Sequence, residues 1–129
     1  MRRIAFLLMM LVATVSGARA ADQPAQVFVI YFQEWSVAID TEAQKVIKQA
    51  ADMAKANRKA QVQVTGFADP TGSRISNVML SELRAQRVAD YLTDDGVPKA
   101  RLHLRGKGPV QFAISGLESR RVEITVTPE

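Results

Sequence analysis

From residue 27 onwards the apolar positions follow two alternating periods. Val27 to Phe32 (V-F-V-I-Y-F) is an unbroken β-branched and aromatic run, which predicts a buried strand. Ala43, Val46, Ile47, Ala50, Met53 and Ala54 then recur at helical spacing and predict a helix from Thr41 to about Asn57. Thr41 is expected to cap it, with Gln44 completing a capping box. Gln61 to Thr65 alternates polar and apolar residues, as a half-buried strand does. Gly66 to Ser73 reads as a loop, because Asp69-Pro70-Thr71-Gly72 is turn chemistry. A second helix is expected from about Ser76 to Thr93, ended by Asp95-Gly96 and Pro98. Arg101 to Arg105 alternates as a third strand, broken by Gly106, Gly108 and Pro109, and Arg121 to Thr127 alternates as the last. The order β-α-β-α-β-β predicts an α+β domain with a single mixed sheet and its helices packed on one face.

The second helix carries polar residues where apolar ones are expected. At 100° per residue Leu80, Val88, Tyr91 and Leu92 share one arc, with Glu82, Gln86, Asp90 and Thr93 opposite. Asn77 and Arg84 fall inside the apolar arc, seven residues apart and so nearly stacked. A polar group directed at a core needs a partner, since an unpaired buried charge is costly. Asp69, just ahead of the helix and favoured there by its dipole, is the nearest candidate. Asp69 and Arg84 can form an internal salt bridge. Alternatively they can grip a zwitterion, the carboxylate taking an ammonium and the guanidinium fork a carboxylate.

The first twenty residues change the charge picture. Arg2 and Arg3 precede a mostly apolar run from Ile4 to Val15, and Ala18-Arg19-Ala20 is a small-x-small site of the kind cut by a signal peptidase. The run is well short of the roughly 20 residues that a spanning helix needs. Residues 1–20 are therefore expected to be a cleaved signal peptide, followed by a short polar lead from Ala21 to Gln26. Cleavage would remove three arginines and no acid, lowering the net charge from +4 to +1. The basic balance is then no argument for a nucleic-acid partner or a membrane surface. The chain has no cysteine, so the domain must hold together by its core, without disulfides or a lipidated cysteine.

Val64-Thr65-Gly66-Phe67-Ala68-Asp69, Gly72, and then Asn77-x-x-Leu80-Ser81-x-x-Arg84-Ala85 resemble the OmpA-like peptidoglycan-binding domain. That family is found in outer-membrane proteins, peptidoglycan-associated lipoproteins and flagellar stator proteins. Its later pattern appears here as Gly96-Val97, Arg101-Leu102, Gly106-Lys107-Gly108 and Ser119-Arg120-Arg121-Val122, so the resemblance covers residues 27–127. It implies that the peptide stem of peptidoglycan is bound through diaminopimelate, with Asp69 and Arg84 as the clamp. It also implies that Arg120 lies near the site and that Thr71, Gly72 and Asn77 line or shape it. Phe67 stands where the family has His, Ser119 where it has Asn, and the segment from Gly108 to Ser119 is shorter than usual.

The remaining chemistry-bearing residues have plainer readings. His103, the only histidine, reads as a packed or half-exposed strand residue, because a metal site needs several clustered ligands. Ser36, Ser73 and Ser81 have no neighbouring His motif that would support a nucleophile. Trp35, the only tryptophan, reads as a lid over the edge of the core, a ligand contact being the alternative. The expectation is a periplasmic, non-enzymatic binding domain with a structural or tethering role. It needs no cofactor or metal, has peptidoglycan as its partner, possible contacts to envelope proteins, and inserts in no membrane once the signal is cut. The rival is a protein–protein adaptor of an envelope complex with a degenerate pocket.

Overall fold

The computed structural model of the chain describes residues 24–109 and 119–128. The expected signal segment, the lead as far as Gln23 and the body of the shortened segment after Gly108 lie outside the described residues. The elements are β1 (Gln26–Tyr31), α1 (Thr41–Ala56), β2 (Gln61–Ala68), α2 (Arg74–Asp94), a 3-10 turn (Lys99–Arg101), β3 (Leu102–Pro109) and β4 (Arg121–Thr127). The sheet runs β1-β4-β2-β3, with β4 antiparallel to both neighbours and β3 parallel to β2. The expected mixed sheet is thus present, and α2 makes the crossover that its parallel pair requires.

Both helices cover the same face of the sheet. Ile30, Val62, Val64, Val122, Ile124 and Val126 pack there against Ile47, Ala50 and Ala54 of α1 and Val88 and Leu92 of α2. Each such aliphatic side chain contributes about 1.5–3 kcal/mol by leaving water. The alanines let α1 lie close to the sheet. No helix among the described residues is long and apolar enough to cross a membrane.

Three expectations change. The run from Val27 to Phe32 is not buried throughout: Ile30 and Phe32 are, whereas Val27 is 56 % and Tyr31 48 % exposed. β1 is an edge strand covered on one face, and an all-apolar run cannot announce that its second face is open. The cap of α1 is Asp40 rather than Thr41, its carboxylate accepting from the Ala43 N–H at 2.7 Å. Gln44 reaches back only to the Ile39 carbonyl, at 3.4 Å, so no capping box forms. An Asp40→Ala variant should lose about 1 kcal/mol of stability, readable by urea unfolding. Strands β2 and β3, finally, run further than their turn residues suggested, β2 to Ala68 and β3 through Gly106 to Pro109.

The reason lies in the glycines. Gly66 and Gly106 are register partners across β2 and β3, and both meet α2. A Cβ on Gly66 would come within 1.9 Å of the Ser81 carbonyl oxygen, and one on Gly106 within 2.7 Å of the Glu82 nitrogen. They form a bare strip on which the helix backbone rests. Ser81 completes the contact, its Oγ donating to the Val78 carbonyl at 2.7 Å and accepting from the Gly108 N–H at 2.8 Å. Arg101 does comparable work on α1. Its Nη1 donates to the carbonyls of Ala54 at 2.8 Å and Asn57 at 2.9 Å, a cation at the negative end of the helix.

Candidate functional site

The close approach of α2 sets Arg84 against the end of β2. The residue is 0 % exposed, and its guanidinium binds three carbonyls from two separate segments. Nε donates to Ser36 at 3.0 Å, Nη2 to Gln33 at 3.1 Å and Nη1 to Phe67 at 3.2 Å. The Phe32 ring lies beneath it, 5.2 Å from Cζ to the centroid. Arg84 therefore fastens the loop after β1 to the end of β2. Burial lowers its pKa below the ordinary arginine value; the nearby Asp69 carboxylate opposes that shift and the Arg120 charge reinforces it.

Asp69 does not form the internal bridge with Arg84 that the periodicity allowed. Its Oδ2 accepts from Arg120 Nη1 at 3.3 Å, and its Oδ1 accepts a short hydrogen bond from the Ser119 hydroxyl. The sheet register explains this choice. Gly66 pairs with Val122 in the antiparallel β2–β4 ladder. Asp69 is three residues past Gly66 and Ser119 three before Val122, so the chain brings both to the same level. Arg120 is fixed from the other side as well, its Nε donating to the Phe32 carbonyl at 3.2 Å while its own carbonyl accepts from the Phe32 N–H at 2.8 Å. The side chains of Asp69 and Arg120 are 15 % and 20 % exposed, so the ion pair reaches solvent where Arg84 does not.

The remaining predicted residues shape the loop. Asn77, buried on α2, donates from Nδ2 to the Thr71 carbonyl at 2.7 Å. Gly72 has φ +86°, a conformation that side chains other than glycine rarely adopt. Ser73 caps α2 through the Ser76 N–H at 3.3 Å, which starts the helix earlier than its apolar stripe indicated. The structure thus brings Asp69, Arg84, Arg120, Asn77, Thr71 and Gly72 to one end of the sheet. Ser119, noticed in the sequence only for replacing an Asn, belongs to the site through its bond to Asp69. The backbone carbonyls of Gln33 and Ser36 carry no sequence signal at all.

Phe67, Arg121, His103 and Trp35 have other duties. Phe67 gives Arg84 its carbonyl, which any residue would supply, and its ring faces the Arg121 guanidinium at 4.1 Å and the Lys107 ammonium at 5.8 Å. Arg120 and Arg121 accordingly serve different faces, Arg121 also pairing with Glu123 at 3.0 Å. His103 is exposed on β3 and bonds to the Gln61 side chain at 2.7 Å. Trp35 is no lid over the core: it is 59 % exposed at the rim of the site.

Comparison with known proteins identifies relatives of the whole domain. The chain is 31 % identical over 105 residues to the probable lipoprotein YiaD of Escherichia coli, covering 77 % of this chain and 48 % of that one. It is 38 % identical over 88 residues to the peptidoglycan-binding protein ArfA of Mycobacterium bovis, covering 64 % of this chain and 27 % of ArfA. The chain thus spans about half or less of the length of these curated relatives. Among solved structures, the OmpA-like domain of FopA1 from Francisella tularensis superposes with a TM-score of 0.72 at 27 % identity, over 81 % of this chain and 73 % of that one. The peptidoglycan-associated lipoprotein of Burkholderia pseudomallei shares the fold, with a TM-score of 0.71 at 22 % identity over 77 % and 89 % of the two chains. Residues 31–122 match the OmpA family, and with that match covering most of the chain and all of α1, β2, α2 and β3, the chain belongs to the OmpA family.

Proposed function

We propose that this chain binds the peptide stems of peptidoglycan non-covalently through their diaminopimelate residue, as a structural or tethering domain of the periplasm and without catalysis. The observation that carries the reading is the convergence of one acid and two arginines at the end of β2, with only the Asp69–Arg120 pair reaching solvent. A zwitterionic ligand suits such a pair, because it can exchange with both partners at once. Its ammonium would replace Arg120 on Asp69, and its carboxylate would take Arg120. Arg84 has five N–H groups and spends three on carbonyls, so two remain to hold the carboxylate from below. Membership of the family and likeness to a protein named for peptidoglycan binding support the same reading. Export by a signal peptide ending at Ala20 would deliver the chain to that ligand.

Co-sedimentation with insoluble sacculi from a diaminopimelate-type wall tests it. The parent should pellet with the wall, and a folded Asp69→Ala variant should stay in the supernatant. The expected cost is about 2–5 kcal/mol of binding, typical for loss of one member of a desolvated charged contact. Equal sedimentation of parent and variant would remove Asp69 from the site.

One observation favours a second reading, an adaptor between envelope proteins. Among the described residues β1 forms an edge of the sheet; it has no charged residue and exposes Val27 and Tyr31. Such an edge is open to strand addition. If parent and Asp69→Ala capture the same envelope proteins while neither sediments with sacculi, the adaptor reading takes precedence.

A further inference from the structure

We infer that Trp35 is a stacking platform for a sugar ring of the glycan strand, so that the site has a sugar subsite beside its charged one. The inference rests on the peptidoglycan-binding reading and extends it from the stem to the strand that bears it.

Three observations place the indole there. Trp35 has φ +52°, the only positive value at a non-glycine among the described residues. An L-residue in that region is strained and persists only where its surroundings hold it. Here they do: the Ser36 N–H donates to the Gln33 carbonyl at 3.1 Å, closing a turn around Glu34 and Trp35. The carbonyls at both ends of that turn are the ones that Arg84 takes, at 3.1 and 3.0 Å. The buried arginine thus fixes an exposed aromatic residue.

The ring, in turn, lies over the loop that carries Asp69. A Cβ on Gly72 would sit 3.7 Å from both Cζ2 and Cη2 of the indole. Gly72 follows Asp69 by three residues, which limits their separation to about 10 Å. One edge of the indole is therefore anchored beside the charged pair, and most of its surface remains open to solvent.

The indole is thus an exposed apolar plane in a backbone conformation that non-glycine residues rarely adopt, held beside the charged pair. The neighbouring Gln33 and Glu34 are both exposed and supply hydrogen-bonding groups at its border. A pyranose matches that combination, with C–H groups for the ring face and hydroxyls for the border. The ammonium of the stem has the Asp69 carboxylate, and an aromatic plane is the group that the sugar otherwise lacks.

The experiment uses the sole tryptophan as its own reporter. The full chain is titrated with a stem peptide ending in diaminopimelate, and with the same peptide attached to its amino-sugar disaccharide. The disaccharide form should bind on the order of tenfold more tightly and shift the tryptophan emission, the sugar-free peptide leaving the emission unchanged. Trp35→Ala should bring the disaccharide form down to the affinity of the free peptide and leave the latter as it was. Trp35→Asn, a residue that tolerates positive φ, should fold without strain and show the same loss. Equal affinity of the two ligands for the parent overturns the proposal. So does an emission shift of equal size with the sugar-free peptide, which would assign the indole to the stem's ammonium. Asp69→Ala should lose both ligands, and if the parent binds neither, the charged site and the sugar subsite fall together.

Discussion

Arg84→Ala is expected to unfold with a stability lowered by about 3–5 kcal/mol, comparable to breaking a buried charged contact. Three carbonyls, those of Gln33, Ser36 and Phe67, would lose their donor, and each buried group left unpaired costs about 1–3 kcal/mol before water finds it. The vacated volume over Phe32 adds a cavity cost. Thermal unfolding followed by circular dichroism should show a midpoint lowered by on the order of 15 °C for a domain of this size. Arg84→Lys should recover part of the loss, because an ammonium keeps the charge but cannot span three carbonyls with a planar fork. A loss of wall binding in Arg84→Ala would report first on the loop that holds Trp35, whose Gln33 and Ser36 carbonyls Arg84 binds. If Arg84→Ala unfolds like the parent, the carbonyl contacts carry no structural weight and the guanidinium is free for a ligand.

Gly66→Ala should be the second most damaging substitution, with about 3 kcal/mol or more lost. In an open site the change would stabilise by roughly 0.4–1 kcal/mol through the unfolded chain, so the sign itself is a test. The added Cβ would lie 1.9 Å from the Ser81 oxygen and 2.9 Å from its carbonyl carbon. Both atoms are backbone, on a helix that also rests on Gly106, so relief requires moving α2 as a body away from β2. Overpacking of this kind typically costs 1–3 kcal/mol and occasionally more. Urea unfolding measures it, and co-sedimentation should show binding lost as well, since lifting α2 withdraws Arg84 from the Phe67 carbonyl. An unchanged midpoint would mean that the helix does not rest on the sheet at this glycine.

Much of this was legible in the residues because the forces behind it act over short stretches. The helical stripe of α1, the alternation in β2 and β4, and the stop at Asp95-Gly96 depend on neighbours within a turn or a strand. The burial of Asn77 and Arg84 was legible too, as polar residues on the wrong arc of an amphipathic helix. So was the position of Asp69, fixed by its place between a strand and the helix that follows. The family pattern added Arg120, Thr71 and Gly72, which no local period marks.

Local pattern could not choose partners. It left Asp69 free to pair with Arg84, fifteen residues on, and the chain pairs it with Arg120 instead, because β4 inserts between β1 and β2 and carries residues 119 and 120 to the end of β2. It made β1 a buried strand, because apolar content is blind to which strand ends at an edge and which face a helix covers. It read Gly66 and Gly106 as breaks, whereas their role is to let a helix approach two paired strands. The residue types thus determined which elements form and which polar groups go inside. The pairing order of the strands, a matter of contacts far apart in the chain, decided which charges meet and which aromatic residue is left facing the solvent beside them.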